Sequence, residues 1–156
     1  MRMAAANVSI DAPVELVWKV MLDLESYGLW NPFIVRVAAR DTRDPRVGDD
    51  LKLHVRFKGG KAVVSPERIT EMQHPLAEGE LVRAALEYEF RGPLHLTGMV
   101  RGRRRQLLEQ GSAGSTQYRT EEHFRGALAF IVPTGLVQDG FERHAQALKQ
   151  RAEALA

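Results

Sequence analysis

Apolar residues recur along this 156-residue chain with two different periods, and the change from one to the other divides it into elements. From Pro133 to Ala156, Val137, Phe141, Ala145, Leu148, Ala152 and Leu155 follow one another three or four positions apart, which predicts one apolar stripe on a long helix. Asp139, Glu142, Arg143, Gln146, Lys149, Gln150, Arg151 and Glu153 fall on its wet side. Pro133, Gly135 and Gly140 weaken the first turns, so the stretch from Leu128 to Gly140 is expected to be looser than the stretch from Phe141 on. At the other end, Ala4 to Ile10 predicts an opening strand. Asp11-Ala12-Pro13 then supplies a helix start, with Val14, Val17, Trp18 and Met21 on one face. A second helical turn runs from about Glu25 to Trp30 and stops at Asn31, because the residue before Pro32 is pushed out of the α region.

From Phe33 the period becomes two. Phe33 to Arg40 predicts a strand, and Asp41 to Asp49 a polar loop. Leu51, Leu53, Val55 and Phe57 alternate with Lys52, His54, Arg56 and Lys58, the signature of a sheet with one wet face. Gly59-Gly60 suits a hairpin turn into a partner strand from Lys61 to Met72, where Pro66 implies a bulge or an edge position, and Gln73 to Gly79 reads as a loop. Val82, Ala84, Leu86, Tyr88 and Phe90 give the next strand, with a turn at Gly92-Pro93. Leu94 to Glu109 predicts a long strand bent at Gly98 and Gly102, and Ser115 to Arg125 a last one with Thr116, Tyr118, Thr120, Glu122 and Phe124 on one face. The expected fold class is α+β: a curved antiparallel sheet of seven strands wrapped around a long C-terminal helix, with two short helices after the first strand, in a single domain over residues 1–156.

Composition narrows the chemistry. With 44% hydrophobic and 27% charged residues the chain is of ordinary globular type, and no apolar run approaches the length of a membrane span, so no integral membrane association is expected and the cytoplasm is the expected location. Zero cysteines removes disulfides and thiolate catalysis. The five histidines (His54, His74, His95, His123 and His144) form no helical pair, so no metal is expected, and no cofactor motif is present. The net charge of +2 suggests no nucleic-acid partner. The one basic cluster, Arg101, Arg103, Arg104 and Arg105, lacks interleaved aromatics; strand alternation puts Arg104 opposite the other three without saying which side is inward. Neither a nucleophile elbow nor a phosphate loop is found.

Two runs carry a family resemblance. Ile10-Asp11-Ala12-Pro13, Val17-Trp18, Asp23, Tyr27 and Trp30-Asn31-Pro32-Phe33 resemble the opening of the bacterial polyketide cyclase/dehydrase and lipid-transport group of the START/Bet v 1-like (SRPBCC) superfamily. Glu121-Glu122-His123-Phe124-Arg125-Gly126, with Gly140-Phe141-Glu142 and Ala147-Leu148-Lys149, is similar to its closing pattern. The resemblance implies a helix-grip fold whose sheet and terminal helix enclose an elongated cavity open near one end. It says little about the ligand, because the superfamily hosts carriers, receptors and enzymes.

Given such a cavity, its expected wall includes Phe57, Leu86, Tyr88, Phe90, Tyr118, Phe124 and Leu136, with Thr120 and Glu122 as orienting polar groups. Trp30 reads either as a core anchor beside Phe33 or as a rim residue touching ligand. Glu122 is the candidate for acid/base chemistry, since a carboxylate sharing a face with Tyr118 and Phe124 must be paired or protonated. The competing reading pairs it with an arginine such as Arg103 or Arg105. His144 lies beside the apolar stripe, within reach of the cavity. The expected function is to hold a hydrophobic small molecule, such as a lipid, isoprenoid or polyketide-like aromatic. An aromatase/cyclase-type enzyme using the same cavity is the alternative, and a regulator of a partner protein a third. The chain leaves monomer and homodimer open.

Overall fold

The computed structural model describes residues 2–40 and 44–156. Of the polar loop predicted from Asp41 to Asp49, residues 41–43 lie outside the described residues, as does Met1. Seven strands form one antiparallel sheet in the order β1-β7-β6-β5-β4-β3-β2. They are β1 Arg2–Ile10, β2 Ile34–Ala39, β3 Asp50–Arg56, β4 Ala62–Glu78, β5 Leu81–Phe90, β6 Arg101–Gln110 and β7 Thr116–Arg125. Between β1 and β2 the chain crosses from one sheet edge to the other through α1 Val14–Leu22, a 3-10 turn at Leu24–Ser26 and α2 Tyr27–Trp30. The last helix, α4 Thr134–Leu155, lies in the concave side of the curved sheet, which makes this the helix-grip fold.

Helix α4 buries Val137, Phe141, Ala145, Leu148 and Ala152 as its stripe requires, together with Gly140 and His144. Leu155 leaves the stripe and is exposed, because the helix ends beside it. Gly140 is less a weak point than a docking place: the Phe33 ring lies where its Cβ would be, with Cε1 2.2 Å from that position. The helix holds both margins of the sheet. On one side the Gln138 amide accepts from Ala5 N (2.8 Å) and Lys149 Nζ donates to Ser9 O (2.9 Å), which covers the edge strand β1. On the other, Arg143 donates to Pro32 O (3.0 Å) and Arg56 O (3.1 Å).

Four elements differ from the sequence reading. Strand β4 continues to Glu78, through the segment predicted as a loop from Gln73, with register shifts at Ile69/Glu71 and Gln73/Leu76 that let it follow the curvature. The β3–β4 connection spans residues 57–61 rather than two glycines alone, since Arg56 still pairs with Ala62. The long strand predicted from Leu94 begins only at Arg101. Gly92 and Pro93 open a short helix instead, α3 Pro93–Leu96, with proline in its first turn, where a missing N–H costs nothing. His95 on that helix is half-buried near Glu89 and Arg91. Pro66 sits where the β4–β5 ladder stops: its carbonyl accepts from Arg91 N, one residue past the end of β5.

Candidate ligand cavity

Between α4 and the strands from β3 to β7 lies a cavity of about 370 Å³. Its walls are mostly apolar: Leu53 and Val55 from β3, Phe57 just past it, Tyr88 and Phe90 from β5, Phe124 from β7, and Val132, Val137 and Phe141 from the chain leading into and along α4. At one end four wall residues, Val63, Val64, Leu94 and Ile131, are themselves exposed, and they mark the mouth. At the inner end stand Ser65, Glu67, Arg104 and Glu122. A larger hollow of about 660 Å³ between α1 and β2 is lined by Lys19, Asp23, Glu25, Arg36 and Asp44. Trp18, Leu22, Leu24 and Val37 line it too, so its wall mixes charged and apolar groups throughout, whereas the first combines apolar walls with a few convergent polar groups at one end, the usual form of a small-molecule site.

The polar end is built by strand register. In β6 the alternation turns Gly102, Arg104 and Gln106 inward and leaves Arg101 and Arg103 outside. Arg104 lies opposite Tyr88 on one side and Glu122 on the other. The inward arginine is therefore Arg104, not Arg103 or Arg105, whose guanidinium groups meet Glu87 and Glu71. Arg104 is 5% exposed. Its Nε donates to Thr120 Oγ1 (2.9 Å), its Nη2 lies 3.4 Å from the Tyr118 hydroxyl and 3.5 Å from His144 Nδ1, and its guanidinium carbon sits 4.2 Å from the centre of the Phe141 ring.

Glu122 forms neither a hydrogen bond nor an ion pair with this arginine; burial pushes its carboxyl up to about 7, while the Arg104 charge pulls the other way. The half-buried side chain opens onto the cavity and lies over Gly102: a Cβ there would stand 2.8 Å from Glu122 Oε1. Across the same end, Glu67 is 8% exposed and accepts from the Ser65 hydroxyl (2.9 Å). Burial first, and the Glu122 charge second, hold its carboxyl well above the usual glutamate range. A charge on Glu122 thus adds to the cost of ionising Glu67.

Behind this end is a fully buried polar knot. Asn31 Oδ1 accepts from Phe33 N (3.0 Å) and Ile34 N (2.9 Å), which leaves Nδ2 to face His144 Nδ1 at 3.1 Å. Burial first, and the Arg104 charge second, keep His144 far below its ordinary pKa, so the ring is neutral. It stacks on Tyr118 (6.1 Å between centroids, 6° between planes) and meets Trp30 edge-on.

Of the residues expected in the cavity wall, Phe57, Tyr88, Phe90, Glu122 and Phe124 come together there. Leu86, Tyr118 and Thr120 are buried in the closed core and do not reach it. Leu136 is 41% exposed and lies outside the wall. Trp30 packs on Tyr27 and His144 and borders a separate hollow with Pro32 and Arg143. Glu67 and Asn31 escaped sequence reasoning. The two-residue step from buried Ile69 would have turned Glu67 inward, and the Asn before Pro32 signalled a helix end without its buried partner. No group of three or more His, Asp or Glu side chains that could hold a metal occurs among the described residues, and no helix there is long and apolar enough to cross a membrane.

The fold is that of a helix-grip protein, with an apolar-walled cavity between sheet and terminal helix. The chain belongs to the family described as polyketide cyclase/dehydrase and lipid transport, whose profile matches residues 1–153. It is similar to a START superfamily protein from Mycobacterium smegmatis (20% identity, 99% of each chain covered, TM-score 0.71). It is also similar to the Zhui aromatase/cyclase from Streptomyces sp. R1128 (18% identity, 97% of this chain and 93% of that one, TM-score 0.63). A third likeness is to a major latex-like protein from Panax ginseng (10% identity, 99% and 96% covered, TM-score 0.68). At such identities the likeness is one of fold. No curated protein matches the chain.

Proposed function

We propose that the protein binds an apolar or amphipathic small molecule in the cavity between the sheet and α4, with its polar group at the Glu67–Glu122 end. The observation that carries this reading is the form of the cavity: apolar walls, an exposed apolar mouth and a polar end buried at the far side. Family membership supports it. Native mass spectrometry of freshly purified protein tests it. A co-purifying hydrophobic molecule is expected, and it should be lost from a folded variant whose cavity is filled by Val55→Phe and Val137→Phe. Failure to retain or take up any hydrophobic probe, Nile red included, would sink the reading.

A second reading, an enzyme of the cyclase type, is favoured by one feature. Two carboxyls beside an apolar chamber, both raised by burial and one of them to about 7, have the means to take up and give a proton at neutral pH. Incubating the protein with phenylbutanone in heavy water and following deuterium entry next to the carbonyl separates the readings: binding alone gives no exchange above background.

A further inference from the structure

The polar end of the cavity is unbalanced in a way that points to the ligand's head group. Two carboxyls, Glu67 and Glu122, face one guanidinium, Arg104, inside a chamber that is otherwise apolar. Arg104 spends Nε and Nη2 on Thr120, Tyr118 and His144 and hydrogen-bonds to neither carboxyl, although its charge acts on both. Of the four carboxyl oxygens, only Glu67 Oε1 has a hydrogen-bond donor, the Ser65 hydroxyl, although Glu67 is more than nine-tenths buried. Gly102 supplies the space over which the Glu122 carboxyl lies, so the acceptor surplus is housed rather than crowded. Glu67 Oε2 and both Glu122 oxygens open on the cavity with no side chain of the protein donating to them, so a donating ligand can reach them.

We propose that this end receives an ammonium group, so that the ligand is an apolar amine whose nitrogen donates to Glu67 and Glu122 while its hydrocarbon body fills the chamber toward the mouth. The inference rests on the binding reading above and names the ligand class. The other groups facing the pair are Arg104 from β6 and Tyr88 from β5, with Glu89 adding negative charge near Glu67 and His144 neutral behind Arg104. A pair holding one proton would sum with Arg104 to no net charge, and an entering ammonium would then displace that proton to solvent with the sum unchanged.

Calorimetric titration of the full chain near neutral pH with phenylbutylamine, phenylbutanol and phenylbutanoic acid isolates the head group at constant bulk. The amine is expected to bind at least about tenfold tighter than the alcohol, the step that one charge-assisted hydrogen bond supplies. The acid should bind weakest. Amine binding should release up to about one proton, read from buffers with different heats of ionisation. In the double variant Glu67→Gln/Glu122→Gln, the advantage of the amine over the alcohol should vanish, with thermal unfolding reporting that the fold is intact. An acid that binds as tightly as the amine, an alcohol equal to it, or a preference that survives the double substitution overturns the inference. Nile red separates the two failures. If it is taken up and the amine is not, only the ammonium inference falls; if neither binds, the cavity reading falls with it.

Discussion

The side-chain amide of Asn31 donates to Nδ1 of His144 across 3.1 Å, and this one bond joins the corner between α2 and β2 to the middle of α4. The orientation of the amide is fixed from the other side, because its oxygen already accepts from the backbone N–H groups of Phe33 and Ile34. His144 Nδ1 must then be the unprotonated nitrogen, and the ring proton sits on Nε2, which has no hydrogen-bond partner. The segment leaving α2, the helix α4 and the inward arginine of β6 are thereby tied to one neutral imidazole.

Asn31→Asp tests that assignment. The substitution keeps the oxygen that caps Phe33 and Ile34 but sets a second oxygen against the Nδ1 lone pair, so His144 must take a proton on Nδ1. The expected result is a folded protein less stable by roughly 1–3 kcal/mol. Its long-range nitrogen–proton NMR spectrum should show Nδ1 changed from an imine-type to an N–H-type shift. A wild-type spectrum with Nδ1 already protonated would refute the geometry. Asn31→Ala should be worse, on the order of 3 kcal/mol or more, because two buried backbone donors lose their acceptor.

Glu122→Gln should change how stability depends on pH. The folded carboxyl holds its proton up to about 7, against an ordinary value of 4.5, so between these values the folded state binds the extra proton and stability falls as pH rises. His144 works in the opposite sense: its folded pKa is lowered from 6.5, so stability is lost as pH falls below that value. Subtracting the variant from the wild type removes the histidine's share. The variant is expected to be more stable than wild type by roughly 1–3 kcal/mol at mildly alkaline pH, with the difference shrinking toward zero near pH 4. Relief of Glu67 from a negative neighbour adds in the same direction. Urea unfolding across the range measures it, and a difference that does not vary with pH would count against the shifted carboxyl.

Much of this arrangement is legible from alternation alone. The two-residue step from Tyr118 through Thr120 to Phe124 turns Glu122 inward without any structure, and the spacing of Phe141, Ala145 and Leu148 places His144 among them. What alternation lacks is an absolute face where the chain bends. The arginine-rich strand offered four cations and two glycines, and only its register against β7 selects Arg104. On β4 the two residues at the mouth, Val63 and Val64, are exposed although apolar, while Glu67 at the inner end is buried although charged. A charged residue buried at the inner end of a cavity breaks the rule that apolar side chains are the buried ones, so Glu67 is found by alternation from Ile69 and not by that rule.

Gly102→Ala asks whether the space beneath Glu122 is a requirement. The glycine has no positive φ, so an alanine suits the backbone, and replacing glycine in a strand would by itself stabilise by about 0.5–1 kcal/mol. The added methyl would stand 2.8 Å from Glu122 Oε1 and 3.3 Å from Phe124 Cε1, so the carboxylate must shift, and the cavity is open to it. In the wild-type background the substitution is therefore expected to destabilise, by about 1 kcal/mol or more, and to weaken Nile red uptake by pushing the carboxyl into the chamber. In a Glu122→Ala background the methyl meets no carboxylate, and the same change should stabilise. A double-mutant cycle measured by denaturant unfolding reads the reversal directly. The same sign in both backgrounds would mean that Gly102 is needed for something other than room for Glu122, with the Phe124 ring the remaining neighbour to bear the contact.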